Sequence, residues 1–203
     1  LRHGQINSET ALTTKVKSPG FELLLGQLQQ PRRYHILDLG SAVGANVQFL
    51  SSRLACRLTI EDLFGHPSLS SSSKPVGTDA VQGVLEHLNI AHSSTCFDVI
   101  LGWDLFNYLE YDAISALSQT VRRFCQPGTL MFLLILTQPR IPAQPTRFRI
   151  IEGTHLAYEL NSKAMIPGPQ RTPGRIETIM RGFRLWRSFL LRNGVQESIF
   201  IYS

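Results

Sequence analysis

Long hydrophobic runs are missing from this chain of 203 residues. The longest unbroken apolar stretch, Leu130 to Leu136, is far short of the roughly 20 residues needed to span a bilayer. No basic-then-apolar leader opens the chain, and Leu1 in place of methionine is what a trimmed start or a preceding domain gives. Cysteine is scarce. Cys56, Cys96 and Cys125 are too far apart for a zinc knuckle and odd in number, against a disulfide framework. They read as small buried hydrophobes of a reducing compartment, the cytoplasm by default, and no metal site is expected. Charge is sparse at 17%, against 43% hydrophobic residues, a balance that suits one globular domain with a sizeable core. What charge there is falls unevenly. From Arg140 onward ten Lys and Arg face four Glu within a net charge of +5. These cations are scattered and no RNA-binding aromatic motif accompanies them. A solvated face therefore competes with contact to nucleic acid, anionic lipid or an acidic small substrate.

Periodicity supplies the elements. Residues 1–17 are polar without a period and read as frayed or loosely docked, and Phe21 to Leu25 reads as a short helix. Arg33 to Leu39 reads as a buried strand. Val43, Val47, Leu50 and Leu54 share one helical face. Leu58 to Ile60 forms a second strand closed by Glu61 and Asp62. After a serine-rich loop at 65–78, Thr78 or Asp79 can cap a helix to about His87. A third strand has no clear place between His87 and Cys96. Phe97 to Leu101 is a buried strand, Tyr111 to Phe124 an amphipathic helix, and Thr129 to Leu136 the most apolar strand. Arg149 to Ile151 and His155 to Leu160 suggest a small hairpin across Glu152-Gly153. Thr172-Pro173 opens a last helix to about Arg181. Phe183 to Leu191 and Val195 to Tyr202 make two strands across Asn193-Gly194, read as a two-residue turn. This alternation predicts an α/β fold: a Rossmann-like, mainly parallel sheet, helices on both faces and an antiparallel C-terminal hairpin strand.

The sharpest feature is Ile36-Leu37-Asp38-Leu39-Gly40-Ser41-Ala42-Val43-Gly44, a buried strand ending in an acid and turning tightly into a helix. Ligands of open parallel sheets sit outside the carboxyl ends of the strands, near the switch in strand order. Glu61 ends the next strand, where a carboxylate can accept both hydroxyls of a ribose.

These residues resemble a family. LDLGSAVGANVQFL is similar to motif I of class I S-adenosylmethionine-dependent methyltransferases, usually close to LDLGCGTG. Glu61 matches the acid after their second strand, and FDVILGWDLFNYLE their fourth strand and its loop. Gln126 to Leu130 matches the turn before the fifth strand. Arg181-Gly182-Phe183 with two hairpin strands matches their close. The resemblance covers about residues 33–202 and implies a methyltransferase-like domain at 33–203, after a polar segment and short helix at 1–32, with a lid-like insertion at 138–172.

The resemblance implies roles. Gly40, Ser41, Ala42 and Gly44 would line the methionine and ribose of S-adenosylmethionine, Asp38 would orient its amino group, Glu61 would hold the ribose, and Trp103 would lie beside the sulfonium methyl. Asp104, Tyr108 and His155 are candidate catalytic residues; Arg147, Arg149 and Tyr158 are candidates for binding a small-molecule or lipid-like, anionic acceptor. The loop after strand four lacks the Asn/Asp-Pro-Pro-aromatic pattern of enzymes that methylate base amines or glutamine. Two positions depart from the family. Ala42 replaces the middle glycine, and His92 to Thr95 stand where an acid beside the adenine is usual. They motivate a second reading, a binding module that keeps the fold without the chemistry. A nucleotide-dependent oxidoreductase would want glycine at 40, 42 and 45, and 42 and 45 are alanine. A basic RNA methyltransferase is a further alternative.

Overall fold

The structure, a computed structural model, describes residues 13–66, 69, 75–86, 88 and 96–203, with Phe64 described by its backbone only. Half of the serine-rich loop lies outside the described residues, as do His92 to Thr95 and most of the place of a third strand.

In chain order the described elements are β1 (Thr13–Lys17), α1 (Pro19–Gly26), β2 (Tyr34–Asp38), α2 (Gly44–Arg53), β3 (Cys56–Ile60), α3 (Thr78–Leu85), β4 (Phe97–Trp103), α4 (Tyr111–Val121), β5 (Cys125–Leu136), β6 (Arg140–Pro142), β7 (Arg147–Ile151), β8 (His155–Glu159), β9 (Met165–Pro167), α5 (Pro173–Ile179), β10 (Phe183–Leu190) and β11 (Val195–Tyr202). The main sheet has the order β10-β11-β5-β4-β2-β3. β3, β2, β4 and β5 run parallel. β11 lies antiparallel between β5 and β10.

Alternation along the parallel strands divides the core in two, as a sheet buried on both faces requires. Ile36, Val99, Leu101 and Phe132 face one way and pack with Phe21 and Leu24 of α1, Leu50 of α2 and Phe148, Ile150 and Leu156 of β7 and β8. Leu37, Ile100, Met131 and Leu133 face the other way, against Val81 of α3, Ile114 and Leu117 of α4 and Ile176 of α5.

Four details correct the sequence reading. Thr13–Lys17 is a strand, not frayed chain: it pairs antiparallel with β8, whose other edge takes β7. Gly77 stands at the cap position of α3, so Thr78 is its first residue and caps nothing. The Gln126 to Thr129 turn lies within β5 as a register shift opposite Phe97 to Val99. The β10–β11 connection is wider than two residues. Gly194 N donates to Leu191 O at 3.0 Å, Leu191 N to Val195 O at 2.8 Å, and Gly194 has φ +75°. That is a type I turn followed by a left-handed residue, the usual three-residue hairpin.

The start of α1 is tied to the far end of the chain. Glu197, wholly buried on β11, accepts from Ser18 Oγ and, at 2.6 Å, from Gly20 N. Ser18 in turn caps Phe21 N at 3.3 Å. A carboxylate at a helix N-terminus meets otherwise unpaired N–H groups and the positive end of the helix dipole.

Candidate cofactor and acceptor site

Strand order reverses between β2 and β4: the chain runs outward from β2 to β3, then returns to lay β4 on the other side of β2. Asp38 and Trp103 end these two neighbouring strands, so they meet at the switch point. Asp38 Oδ1 accepts from Gly40 N at 3.0 Å and from Trp103 Nε1 at 2.7 Å. Burial pushes its carboxyl up to about 6, with the bonds from Gly40 and Trp103 pulling the other way. Glu61 lies beside it, 6% exposed, its N–H on Asp38 O at 2.7 Å.

The turn into α2 carries the rest of the predicted cofactor residues. Ala42 is exposed, and among the described residues it is not one of the three non-glycine residues with positive φ, so its methyl adds no backbone strain. Val43 stands at the cap position of α2 and its apolar side chain gives the first turn's N–H groups no acceptor. A Cβ at Gly44 would meet nothing within 4 Å. Gly40 is different: a Cβ there would lie 2.4 Å from Trp103 Cδ1.

Trp103 is the unusual residue. Its φ of 46° is left-handed, a conformation bulky side chains rarely adopt. Its indole is 3% exposed, stacked on Phe148 (centroids 5.5 Å apart, 7° between planes) and on Phe21 (6.0 Å, 25°), with Phe132 edge-on at 6.1 Å. The hollow between Gly40, Trp103, Asp104 and the 145–148 segment has a free volume of about 10 Å³. Larger hollows of about 270 and 370 Å³ lie around Arg32, at the amino ends of the strands and away from this chemistry.

Residues 144–146 pack against this end of the sheet. Asp104, wholly buried, accepts from Thr146 N at 2.9 Å, and burial pushes its carboxyl up to about 7. Tyr108 donates to Gln144 O at 3.0 Å, and burial raises its phenol far above the ordinary value. Tyr158 packs edge-on against Phe148 at 5.0 Å, so it reaches the aromatic cluster around Trp103. His155 pairs with Ile151 and Lys17 on β8, and its Nδ1 lies 2.9 Å from Thr154 Oγ1; no described contact links it to Asp38 or Asp104. Arg149 forms an ion pair with Glu159 at 2.9 Å, and Arg147 is exposed opposite the same Glu159 on β8. Arg171 is buried, donates to Leu109 O and lies over the Tyr111 ring. It ties the segment before α5 to the turn after β4.

Sequence reasoning did not find Phe148, Thr146 or Asn46. Phe148 and Ile150 alternate on β7, and Asn46 falls on the buried stripe of α2 between Val43 and Leu50. Both signals were present, but partners so distant in sequence are not readable from periodicity. Among the described residues no three His, Cys, Asp or Glu gather as a metal site, and no helix is long and apolar enough to cross a membrane.

A parallel sheet with helices on both faces, acids ending two adjacent strands beside the switch point and a reversed strand near one edge define a Rossmann-like α/β protein. More narrowly, the fold is that of class I S-adenosylmethionine-dependent methyltransferases. The chain is similar to 1,6-didemethyltoxoflavin-N1-methyltransferase of Burkholderia thailandensis, solved with its acceptor and S-adenosylhomocysteine, at 14% identity over 91% of this chain and 77% of that one, with a TM-score of 0.51. It is also similar to magnesium protoporphyrin IX methyltransferase of Synechocystis PCC 6803, solved with S-adenosylmethionine, at 13% identity over 90% and 75% of the two chains, with a TM-score of 0.50. No protein-family model matches the chain, and no curated protein sequence does.

Proposed function

We propose that the chain binds S-adenosylmethionine and transfers its methyl group to a small-molecule acceptor. The observation that carries this reading is the pairing of Asp38 and Glu61 at the carboxyl ends of adjacent strands, beside a helix whose first turn has no side-chain cap. The donor set suits the cofactor in kind. Glu61 would take the ribose hydroxyls, the first turn of α2 the methionine carboxylate, and Asp38 the cationic amino group. The cofactor supplies an electrophilic methyl on a positively charged sulfur.

This chain's own residues would then align the acceptor and exclude water, the main levers in such a displacement. The 138–172 insertion acts as the lid, through Thr146 on Asp104 and Gln144 on Tyr108. Asp104, with its carboxyl near 7, can take a proton from an acceptor hydroxyl or amine close to neutral pH. Tyr108 and Tyr158 would border the acceptor. Arg147 and Arg149 would offer charge to an anionic one, Arg149 on leaving Glu159.

A second reading is favoured by one observation, the free volume of about 10 Å³ at the site, where a cofactor-sized ligand needs some 300 Å³ or more. In that reading the fold serves as a binding module without cofactor chemistry. Titration calorimetry with S-adenosylhomocysteine separates the two. Micromolar binding that Glu61→Ala loses is the expected result; a folded protein that binds neither S-adenosylhomocysteine nor S-adenosylmethionine establishes the module.

A further inference from the structure

We propose that Trp103 is the gate of the cofactor cleft: its indole occupies the ligand's place against Asp38 and Gly40, and the cofactor enters only as the indole swings out. This rests on the cofactor reading given above.

Three observations converge on this residue. The first is position. The indole lies over Gly40, so close that even a Cβ there would clash with it, and the hollow beneath the insertion shrinks to about 10 Å³. The second is chemistry. Trp103 Nε1–H is a donor aimed at Asp38 Oδ1 at 2.7 Å, so the ring supplies to the buried carboxylate the hydrogen bond that an amino group would bring. A ligand displacing it must carry its own donor, and a positive charge on that donor is matched by the carboxylate. S-adenosylmethionine meets both conditions. The third is backbone. A left-handed φ on a tryptophan is held only because its surroundings over-determine it. Here those surroundings are Phe148 on one ring face and Phe21 nearly parallel at 6.0 Å. Phe148 belongs to the insertion, so opening the cleft and moving the lid are one event.

The gate lowers apparent affinity, because only the fraction of molecules with the indole out can bind. The test uses the full chain and S-adenosylhomocysteine as probe. Trp186→Phe leaves Trp103 as the sole tryptophan, since the chain has two. In that protein the emission should be blue-shifted and shielded from acrylamide, then shift red and become quenchable as the probe saturates. Trp103→Phe keeps a ring in the aromatic stack but loses the N–H, and should bind the probe about tenfold tighter or more, as loss of one hydrogen bond to a charged group implies. Trp103→Ala extends the series. Probe binding with Trp103 emission unmoved, and with Trp103→Phe no tighter than the parent, overturns the gate while leaving the cofactor reading in place. Folded variants that all fail to bind the probe overturn both.

Discussion

The side-chain amide of Asn46 pairs with the backbone of β7 as a neighbouring strand would. Its Nδ2 donates to Phe148 O at 2.8 Å and its Oδ1 accepts from Ile150 N at 2.8 Å. One buried side chain thus satisfies both backbone groups that β7 turns toward α2, and it holds Phe148 where it can stack on Trp103. The helix that follows the candidate cofactor turn and strand β7 are joined through Asn46.

Asn46→Ala should therefore cost about 2–4 kcal/mol, because it strands a buried N–H and a buried C=O together. Chemical denaturation measures the loss. Amide exchange at Ile150 should accelerate more than exchange in β4 or β5, since Ile150 N loses its acceptor directly. Equal acceleration throughout would show that Asn46 supports only global stability.

Asp104 makes stability depend on pH in a direction opposite to that of an ordinary surface acid. Its carboxyl binds a proton more tightly in the folded state, near 7, than in the unfolded chain, near 3.8. Its contribution is full below about pH 4 and is lost as the pH rises through 7. Asp104→Asn keeps an oxygen for Thr146 N and removes the titration. Melting temperatures of this variant and the parent should match at pH 4, with the variant higher at pH 8. Asp38 acts in the same sense over a window ending near 6.

Removing the carboxylate of Glu197 should unfasten α1. Glu197→Ala leaves Ser18 Oγ and Gly20 N without their buried acceptor and opens a cavity, a loss of about 3 kcal/mol or more. Ser18→Ala should cost about 1–2 kcal/mol, a cap's worth. In a double-mutant cycle the two losses should fall well short of additive, as the shared hydrogen bond requires.

An anionic acceptor can be tested through the basic strand β7. Arg149 is partly exposed and its ion pair with Glu159 contributes less than about 1 kcal/mol, so reversing its charge leaves the fold intact. With an acceptor found by screening, Arg147→Glu combined with Arg149→Glu should raise KM at least several-fold and leave kcat nearly unchanged. An unaltered KM would remove these arginines from acceptor binding.

Much of the architecture was legible because it is written locally. The acid-ended strand at Tyr34–Asp38, the helix after Gly44 and the terminal hairpin each follow from short-range pattern. Thr13–Lys17 was not legible: its polar residues are mostly exposed, and what makes it a strand is the free edge of β8. The candidate site shows the same division. Asp38, Glu61 and Asp104 could be named from their place at strand ends. The indole lying in the cleft could not, since a left-handed backbone and a stack on Phe148 leave no mark in residue spacing.

The bond between Ser18 and Glu197 joins residues 179 positions apart. At ordinary synthesis rates of about 5–20 residues per second, Ser18 is added to the chain roughly 9 to 36 s before its partner. Throughout that interval α1 has its own cap but no anchor, and Phe21 and Leu24 lack the surface built by β11. The docking of α1 is consequently completed only once β11 is in place. The helix gains its buried acceptor and part of its apolar bed only when β11 joins the sheet.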